Sequence, residues 1–266
     1  MTFKDIFKTP KPIIACVHLM PLPGSPRYSG KIAEIYDTAL SEVEIFKRYP
    51  MIDGLIVENF RDIPFYPNKL PTETIAAMAA VTREIVNVVE IPVGVNALRN
   101  DAQSALAVAT ATEADFIRVN VHMDAVVSDQ GIIEGAAHKT LRLRASLRSN
   151  VLIFADVGVK HSAPLGNRGL APKTRDLTER GLADAVIVSG ESTGSETQTE
   201  DIEIVRQNTN LPILIGSGVT PENLDKVYSI VDGLIVGSTF KKDGKADNFV
   251  EESRVKAFSD KIIKVK

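Results

Sequence analysis

The chain has 266 residues, of which 44% are hydrophobic, and a formal net charge of -3. The length and the apolar fraction suit a globular protein with a large core. The slightly acidic balance lacks the basic footprint of nucleic-acid binding, and no apolar run reaches the ~18 residues that a membrane-spanning helix needs.

The cysteine content and the N-terminal residues predict the cellular compartment of the protein. Cys16 is the only cysteine, so no disulfide can form within the chain, which fits a reducing compartment. Residues 1–8 contain no secretory apolar segment. We therefore expect a cytoplasmic protein without a transmembrane segment and without a nucleic-acid partner.

The first half of the chain alternates short apolar runs with helical patterns. An N-terminal segment over residues 1–12 leads into the first run. Strands one to four are predicted over residues 13–18, 53–59, 92–96 and 114–120. Helices are predicted over residues 31–48, over 72–88 and after a cap at Asn100 or Asp101. Long proline-containing loops follow strands one and two.

The second half continues the same alternation. A polar loop over residues 122–134 leads into a basic helix that ends near residue 148, and a second polar loop spans residues 157–171. Strands five to eight are predicted over residues 151–156, 184–189, 212–219 and 232–238. Helices are predicted over residues 173–181, 199–208, 221–228 and from about residue 248.

Eight strand–helix units in one chain predict a (β/α)8 TIM barrel of the α/β class, because buried parallel strands appear as unbroken apolar runs. We predict a single domain over residues 1–266. The alternative is a doubly wound open sheet, but no Gly-x-Gly-x-x-Gly follows the first strand.

Strands seven and eight both end in glycine and serine. Glycine lets a ligand approach the backbone, and these two strand ends form the usual phosphate site of TIM barrels. We predict that a ligand phosphate is held by Gly216, Ser217, Gly218, Gly237 and Ser238. A helix beginning at Pro221 is expected to direct its N-terminus toward the same point. The alternative is that the glycines form tight turns that bind nothing.

Polar side chains end five of the other strands. Because side chains alternate between the two faces of a strand, residues two apart share the inward face. This parity places five polar side chains inside the mouth of the barrel, Glu58, Asn96, Arg118, Asn120 and Asp156, and His18 ends strand one beside them. They predict either acid–base chemistry by Glu58 and Asp156 beside an anion at Arg118, or a salt-bridged structural plug.

Other candidate chemistry has less support. Lys160 lies in a loop, where a solvated or phosphate-steering charge is favoured over an imine-forming lysine. The spacing of His18, His122 and His161 matches no compact metal-ligand motif. Thr193 and Gly194 predict a hydrogen-bonding turn, but this sequence pattern is not specific to any one function. We expect no metal and no cofactor.

Five segments together resemble one known family. These are residues 17–26, 53–59, 94–101, 116–120 and 155–161, which include His18, Glu58, Asn96, Arg118 and Asp156. In this order they are similar to the BtpA/SgcQ family. The resemblance implies a TIM barrel. It also implies one of two settings, photosystem I biogenesis or sugar metabolism, but no specific reaction.

Two classes of function stay open. The first is an enzyme that acts on a small phosphorylated sugar, phosphoribosyl or nucleoside-type ligand by acid–base or glycosidic-bond chemistry. The second is a non-catalytic assembly, membrane-complex biogenesis or regulatory factor. In the second case, Leu22, Phe60, Phe65 and Tyr66 on the two long loops would form a docking surface. The same loops could form a substrate lid or a homo-oligomer interface, and we expect a homo-oligomer.

Overall fold

Eight parallel strands close into a barrel in the computed structural model of this chain, which describes residues 1–159, 161–190 and 197–265. The strands, in chain order, are β1 (Ile13–His18), β2 (Gly54–Glu58), β3 (Val93–Asn96), β4 (Phe116–Val119), β5 (Ala125–Ser128), β6 (Gly131–Glu134), β7 (Leu152–Asp156), β8 (Ser162–Pro164), β9 (Ala185–Val188), β10 (Ile213–Ile215) and β11 (Gly233–Val236). Around the barrel the order is β1, β2, β3, β4, β7, β9, β10 and β11, which pairs again with β1. The predicted barrel is confirmed, and all eight predicted runs contain its strands.

The helices surround this barrel. In chain order they are α1 (Phe3–Ile6), α2 (Ile32–Lys47), α3 (Thr72–Val88), α4 (Ala102–Thr112), α5 (Ala137–Ser146), α6 (Leu170–Glu179), α7 (Thr199–Arg206), α8 (Leu224–Ile230) and α9 (Glu252–Ile262). The expected cap is present, because the Asp101 carboxylate accepts a hydrogen bond of 3.0 Å from the Ser104 N–H. Among the described residues, no helix has both the length and the apolar character needed to span a bilayer.

An apolar plug fills the N-terminal end of the barrel. The ring centroid of Phe3 lies 5.7 Å from that of Phe154, and the ring of Phe7 lies 6.0 Å from that of Phe116. Gly94 makes room for this packing, since a Cβ atom there would lie 2.1 Å from the Phe116 ring. The N-terminal segment therefore closes one end of the barrel and leaves the other end for polar groups.

Three helices begin away from their predicted positions. α6 begins at Leu170 rather than at residue 173, and α9 begins at Glu252 rather than near 248. The helix expected from Pro221 begins at Leu224 and has seven residues. The chain between β11 and α9 instead forms two 3-10 turns, Ser238–Phe240 and Lys242–Gly244, which carry it back across the barrel mouth.

The two polar loops contain a small antiparallel sheet that the sequence did not indicate. β5 pairs with β6 and with β8 above the barrel. Its strands have only three or four residues and bury few side chains, among them Val126 and Ile133. Such short, one-sided strands leave no apolar run to recognise.

A buried ion pair secures the segment after β11. Lys241 is fully buried, and its Nζ lies 2.7 Å from the Glu42 carboxylate on α2. The second Glu42 oxygen accepts a 3.0 Å hydrogen bond from the Val250 N–H. Burial lowers the pKa of Lys241, although the Glu42 charge opposes this. Lys241 therefore holds the returning segment against α2.

Candidate functional site at the barrel mouth

The six polar side chains expected at the barrel mouth meet at the C-terminal end of the barrel, and all of them are buried. His18 and Glu58 are paired residues of β1 and β2, and Glu58 and Asn96 are paired residues of β2 and β3. Strand pairing alone therefore places these three side chains side by side, at the end where TIM barrels carry their active sites.

Arg118 and Asp156 form the centre of this group. The guanidinium donates two hydrogen bonds to the carboxylate, from Nε at 3.1 Å and from Nη2 at 3.0 Å. Asn120 donates a third, of 2.9 Å, to Asp156. Burial by itself would lower the pKa of Arg118, but the charges of Asp156 and Glu58 outweigh it and raise that pKa above its usual value. This pair has the features of the predicted salt-bridged plug.

Glu58 makes fewer and longer contacts than Asp156. One oxygen accepts a 3.1 Å hydrogen bond from Asn96 and lies 3.7 Å from Arg118 Nη1. The other oxygen lies 3.6 Å from His18 Nε2. Glu58 is therefore the carboxylate with an oxygen left for a ligand or a proton.

The His18 ring is held in one orientation. Its Nδ1 lies 2.9 Å from the Ala246 carbonyl oxygen, which can only accept, so Nδ1 carries the proton. The other ring nitrogen, Nε2, faces Glu58. Phe60 stacks on the imidazole with ring centroids 4.2 Å apart.

Arg61 holds the segment over residues 246–248 against the end of β1. Its guanidinium donates to the carbonyl oxygens of His18, Asp247 and Asn248, the last two at 3.1 and 3.0 Å. Burial lowers the pKa of Arg61. Arg61 therefore fixes the segment whose Ala246 carbonyl holds His18.

The sequence reasoning missed two buried residues at the mouth. Arg99 interacts electrostatically with Asp156 and Glu58, and burial lowers its pKa. It follows the end of β3 by three residues, beyond the reach of the parity argument. Cys16 is buried two residues before His18 on the same inward face of β1, so parity could have identified it.

The five residues predicted to hold a phosphate line one small cavity of about 50 Å³. That cavity also contacts His18, Glu58 and Arg118. One detail of the prediction is wrong: the Gly216 N–H already donates to the Val188 carbonyl at 2.9 Å and is not available to an anion. Gly216 instead makes room for Arg118, whose Nη2 would lie 2.9 Å from a Cβ atom at that position.

The neighbouring loop residues retain hydrogen-bonding capacity. The Ser217 hydroxyl oxygen accepts a 3.1 Å bond from the Gly190 N–H, which leaves the hydroxyl proton to donate. Gly218 has φ of 73°, a backbone conformation that favours glycine. Gly237 and Ser238 lie half-buried on the other side of the cavity.

A larger cavity of about 810 Å³ is lined by Asn120, Asp156 and Ser189. Asp156 on its wall pairs with Arg118 on the wall of the small cavity. Asn120 Oδ1 and Ser189 Oγ are buried and have no hydrogen-bond partner among the described residues. Unpaired buried polar atoms are costly, so both atoms indicate a place for a hydrogen-bonding ligand.

The three histidines do not form a metal cluster within the described residues. His122 donates from Nε2 to the Gly181 carbonyl oxygen, 2.8 Å away, and lines a different cavity from His18. Ligand atoms of Cys16, His18 and Glu58 do converge, all within 4.8 Å of one another. Lys160, Thr193 and Gly194 lie outside the residues that the structure describes.

Comparison with known proteins gives a consistent family relationship. The model described as the BtpA family matches residues 9–264. The photosystem I biogenesis protein BtpA of Synechocystis is 42% identical, with 97% of this chain and 90% of that protein covered. An uncharacterized protein of Pyrococcus furiosus is 41% identical, with 95% of each chain covered.

Solved structures show the same fold at low identity. The N-(5'-phosphoribosyl)anthranilate isomerase of Pyrococcus furiosus has a TM-score of 0.57 and 15% identity, with 96% of this chain and 100% of that chain covered. The thiamine phosphate pyrophosphorylase of the same organism has a TM-score of 0.57 and 12% identity, with 96% of each chain covered. At these identities the likeness shows the barrel fold alone.

Proposed function

This chain belongs to the BtpA family, and from the geometry of its barrel mouth we propose that it is an enzyme acting on a small phosphorylated sugar or phosphoribosyl compound by acid–base chemistry. The observation that carries this proposal is the pair of cavities on either side of the Arg118–Asp156 ion pair. One is lined by glycine–serine loops and Glu58, and the other is large enough for a sugar-sized ligand.

In this proposal the phosphate lies in the small cavity. Gly218 and Gly237 let it approach the backbone closely, and the Ser217 hydroxyl donates to it. Hydrogen bonds to a charged group contribute roughly 1.5–3 kcal/mol each, which favours the phosphorylated form of a ligand over the neutral form. Arg118 on the same cavity wall supplies positive potential, although Asp156 and Glu58 balance much of it.

Glu58 is the proposed proton-transfer group. Glu58 lines the small cavity, and Asn96 and His18 contact its two carboxylate oxygens. Asp156 has a different role, since both of its oxygens accept hydrogen bonds from Arg118 and one also accepts from Asn120. Asp156 therefore positions Arg118 rather than exchanging protons.

The sugar part of the ligand is proposed to enter the large cavity. Asn120 Oδ1 can accept a hydrogen bond from a ligand hydroxyl, and Ser189 Oγ can donate or accept one. Two such groups fit a hydroxylated ligand better than an apolar one. Solved barrels named for phosphorylated compounds share only the fold, and this chain's own cavities support the proposal.

A second candidate is a non-catalytic biogenesis factor, because a relative with 42% identity is named for photosystem I biogenesis. The docking surface expected for that role is largely absent. Leu22 is fully buried, and Phe60 stacks on His18 inside the site. Of the four expected residues, only Tyr66 is an exposed large hydrophobic side chain.

A thermal-shift panel tests the proposal. Ribose 5-phosphate and other phosphorylated sugars are each compared with their dephosphorylated forms, because a ligand that binds only the folded state raises the melting temperature. We expect shifts for phosphorylated members only. If no phosphorylated compound shifts the melting temperature, the proposed phosphate site is wrong.

Two variants test whether the ligand-induced shift in melting temperature arises at Gly218. Gly218→Asp places a carboxylate beside the proposed phosphate and should remove the shift. Gly30→Asp is the matched control, because Gly30 also has a positive φ, of 82°, and no atom lies within 4 Å of a Cβ built there. Equal ligand shifts in the two variants would contradict a phosphate site at Gly218.

A further inference from the structure

We propose that Cys16, His18 and Glu58 form a binding site for a divalent transition metal of the Zn²⁺ type. The three residues offer sulfur, nitrogen and oxygen ligand atoms that lie within 4.8 Å of one another. All three are buried on strands of the barrel wall, where their positions are rigid. This inference does not need a phosphate in the small cavity, and with a metal bound the Glu58 oxygen that faces His18 is a ligand rather than the proton-transfer group.

The distances suit a tetrahedral ion. Zn²⁺ binds histidine nitrogen and carboxylate oxygen at about 2.0–2.1 Å, which places those two ligand atoms about 3.3 Å apart in a tetrahedral site. His18 Nε2 and the free Glu58 oxygen are 3.6 Å apart. A small movement of either side chain therefore completes this edge of the site.

Surrounding hydrogen bonds orient the ligands as metal sites require. A metal-binding histidine usually donates its other ring N–H to a carbonyl or a carboxylate. His18 does this through Nδ1 and Ala246, which leaves Nε2 as the ligand atom. The other Glu58 oxygen accepts from Asn96, so the carboxylate is also fixed.

The ligand set itself carries the charge that a dication needs. Asp156 makes the closest ion pair with Arg118, at 3.0 Å against 3.7 Å for Glu58, and Glu42 pairs with Lys241, while the buried guanidinium groups of Arg61 and Arg99 lie at the same mouth. A Cys16 thiolate and the Glu58 carboxylate then carry two negative charges, which a divalent ion neutralises. The sulfur and nitrogen donors favour Zn²⁺ or Co²⁺ over Mg²⁺ and Ca²⁺, which prefer oxygen ligands.

Three protein ligands leave a fourth position for water or substrate, as in catalytic zinc sites. Gly237 lies beside two of the proposed ligands: a Cβ atom there would be 3.4 Å from Cys16 Sγ and 3.6 Å from His18 Cε1. The absence of a side chain keeps the approach from the small cavity open.

Cobalt titration of the full chain tests the site. The protein is stripped with a chelator and titrated with Co²⁺ in the absence of phosphorylated ligand, so the result does not depend on the proposed function. Because the chain has a single cysteine, a thiolate-to-cobalt charge-transfer band can arise only from Cys16. We expect this band to saturate at one Co²⁺ per chain, to be displaced by Zn²⁺ and to be unaffected by Mg²⁺.

Variants and a control complete the test. Cys16→Ser should lose the band, and His18→Gln and Glu58→Gln should each bind Co²⁺ at least tenfold more weakly. His138→Gln is the control for surface binding, because His138 is exposed, and it should behave as the unmodified chain. The proposal is overturned if the unmodified folded chain shows no charge-transfer band, or if the band keeps its affinity in both His18→Gln and Glu58→Gln.

Discussion

Replacing Asp156 with asparagine removes the charge that balances a buried guanidinium. The Asp156 side chain is fully buried, that of Arg118 is 5% exposed, and two hydrogen bonds of 3.0 and 3.1 Å join them. Removing one partner of a buried pair costs about 3–5 kcal/mol, because the other charge stays buried without compensation. Glu58 remains 3.7 Å from Arg118, which offsets only part of the loss.

Glu58→Gln is the matched comparison, because it removes one carboxylate charge at the same mouth. A glutamine oxygen can still accept from Asn96 at 3.1 Å, so the expected cost is about 0.5–1.5 kcal/mol. At about 2–4 °C per kcal/mol, Asp156→Asn should melt roughly 6–20 °C below the unmodified chain, and Glu58→Gln only a few degrees below.

The assay is equilibrium unfolding in urea followed by far-ultraviolet circular dichroism, with calorimetry at a fixed scan rate. Strand parity alone gives Glu58 and Asp156 the same role. The structure instead separates Asp156, which accepts two hydrogen bonds from Arg118, from Glu58, which lies 3.7 Å from Arg118. If the two variants lose equal stability, or if Asp156→Asn is as stable as the unmodified chain, this distinction is wrong.

Three further predictions follow from buried charges. Lys241→Met should cost about 3–5 kcal/mol in urea unfolding by leaving Glu42 unpaired, and adding Glu42→Leu should restore most of that loss. Burial lowers the pKa of His122 below its ordinary 6.5, so the unfolded chain takes up a proton first as the pH falls. The His122 contribution is therefore complete above about pH 6.5 and declines below it, and His122→Gln should reduce the loss of stability between about pH 7.5 and 5.5. Once a substrate is identified, Glu58→Gln should lower kcat by roughly 100-fold or more while retaining most substrate binding, measured by steady-state kinetics.

The barrel was predictable because its strands are buried on both sides. Unbroken apolar runs such as residues 13–17 and 151–155 mark parallel strands, and parity then placed Glu58 and Asp156 inside the mouth. Their different roles were not predictable. These roles depend on the direction of the Arg118 guanidinium. Gly216, which follows β10, leaves room for that direction because it has no side chain.

Features that depend on long-range contacts were also missed. Lys241 reads as a surface lysine in a lysine-rich stretch, but it pairs with Glu42 about 200 residues earlier. Likewise the Gly216 N–H belongs to the glycine–serine motif after β10, but it donates its hydrogen bond to the Val188 carbonyl of β9. The homo-oligomer and the cytoplasmic location remain predictions.

The proposed ligand class is tested most directly by calorimetric titration of the unmodified chain with ribose 5-phosphate and with ribose. Several charge-assisted hydrogen bonds from the loops after β10 and β11 should make the phosphorylated sugar bind at least tenfold more tightly, a difference of about 1.4 kcal/mol. The same titration of Gly218→Asp should show no preference. Equal affinities for the two sugars in the unmodified chain would show that the glycine–serine loops are tight turns without a phosphate-binding role.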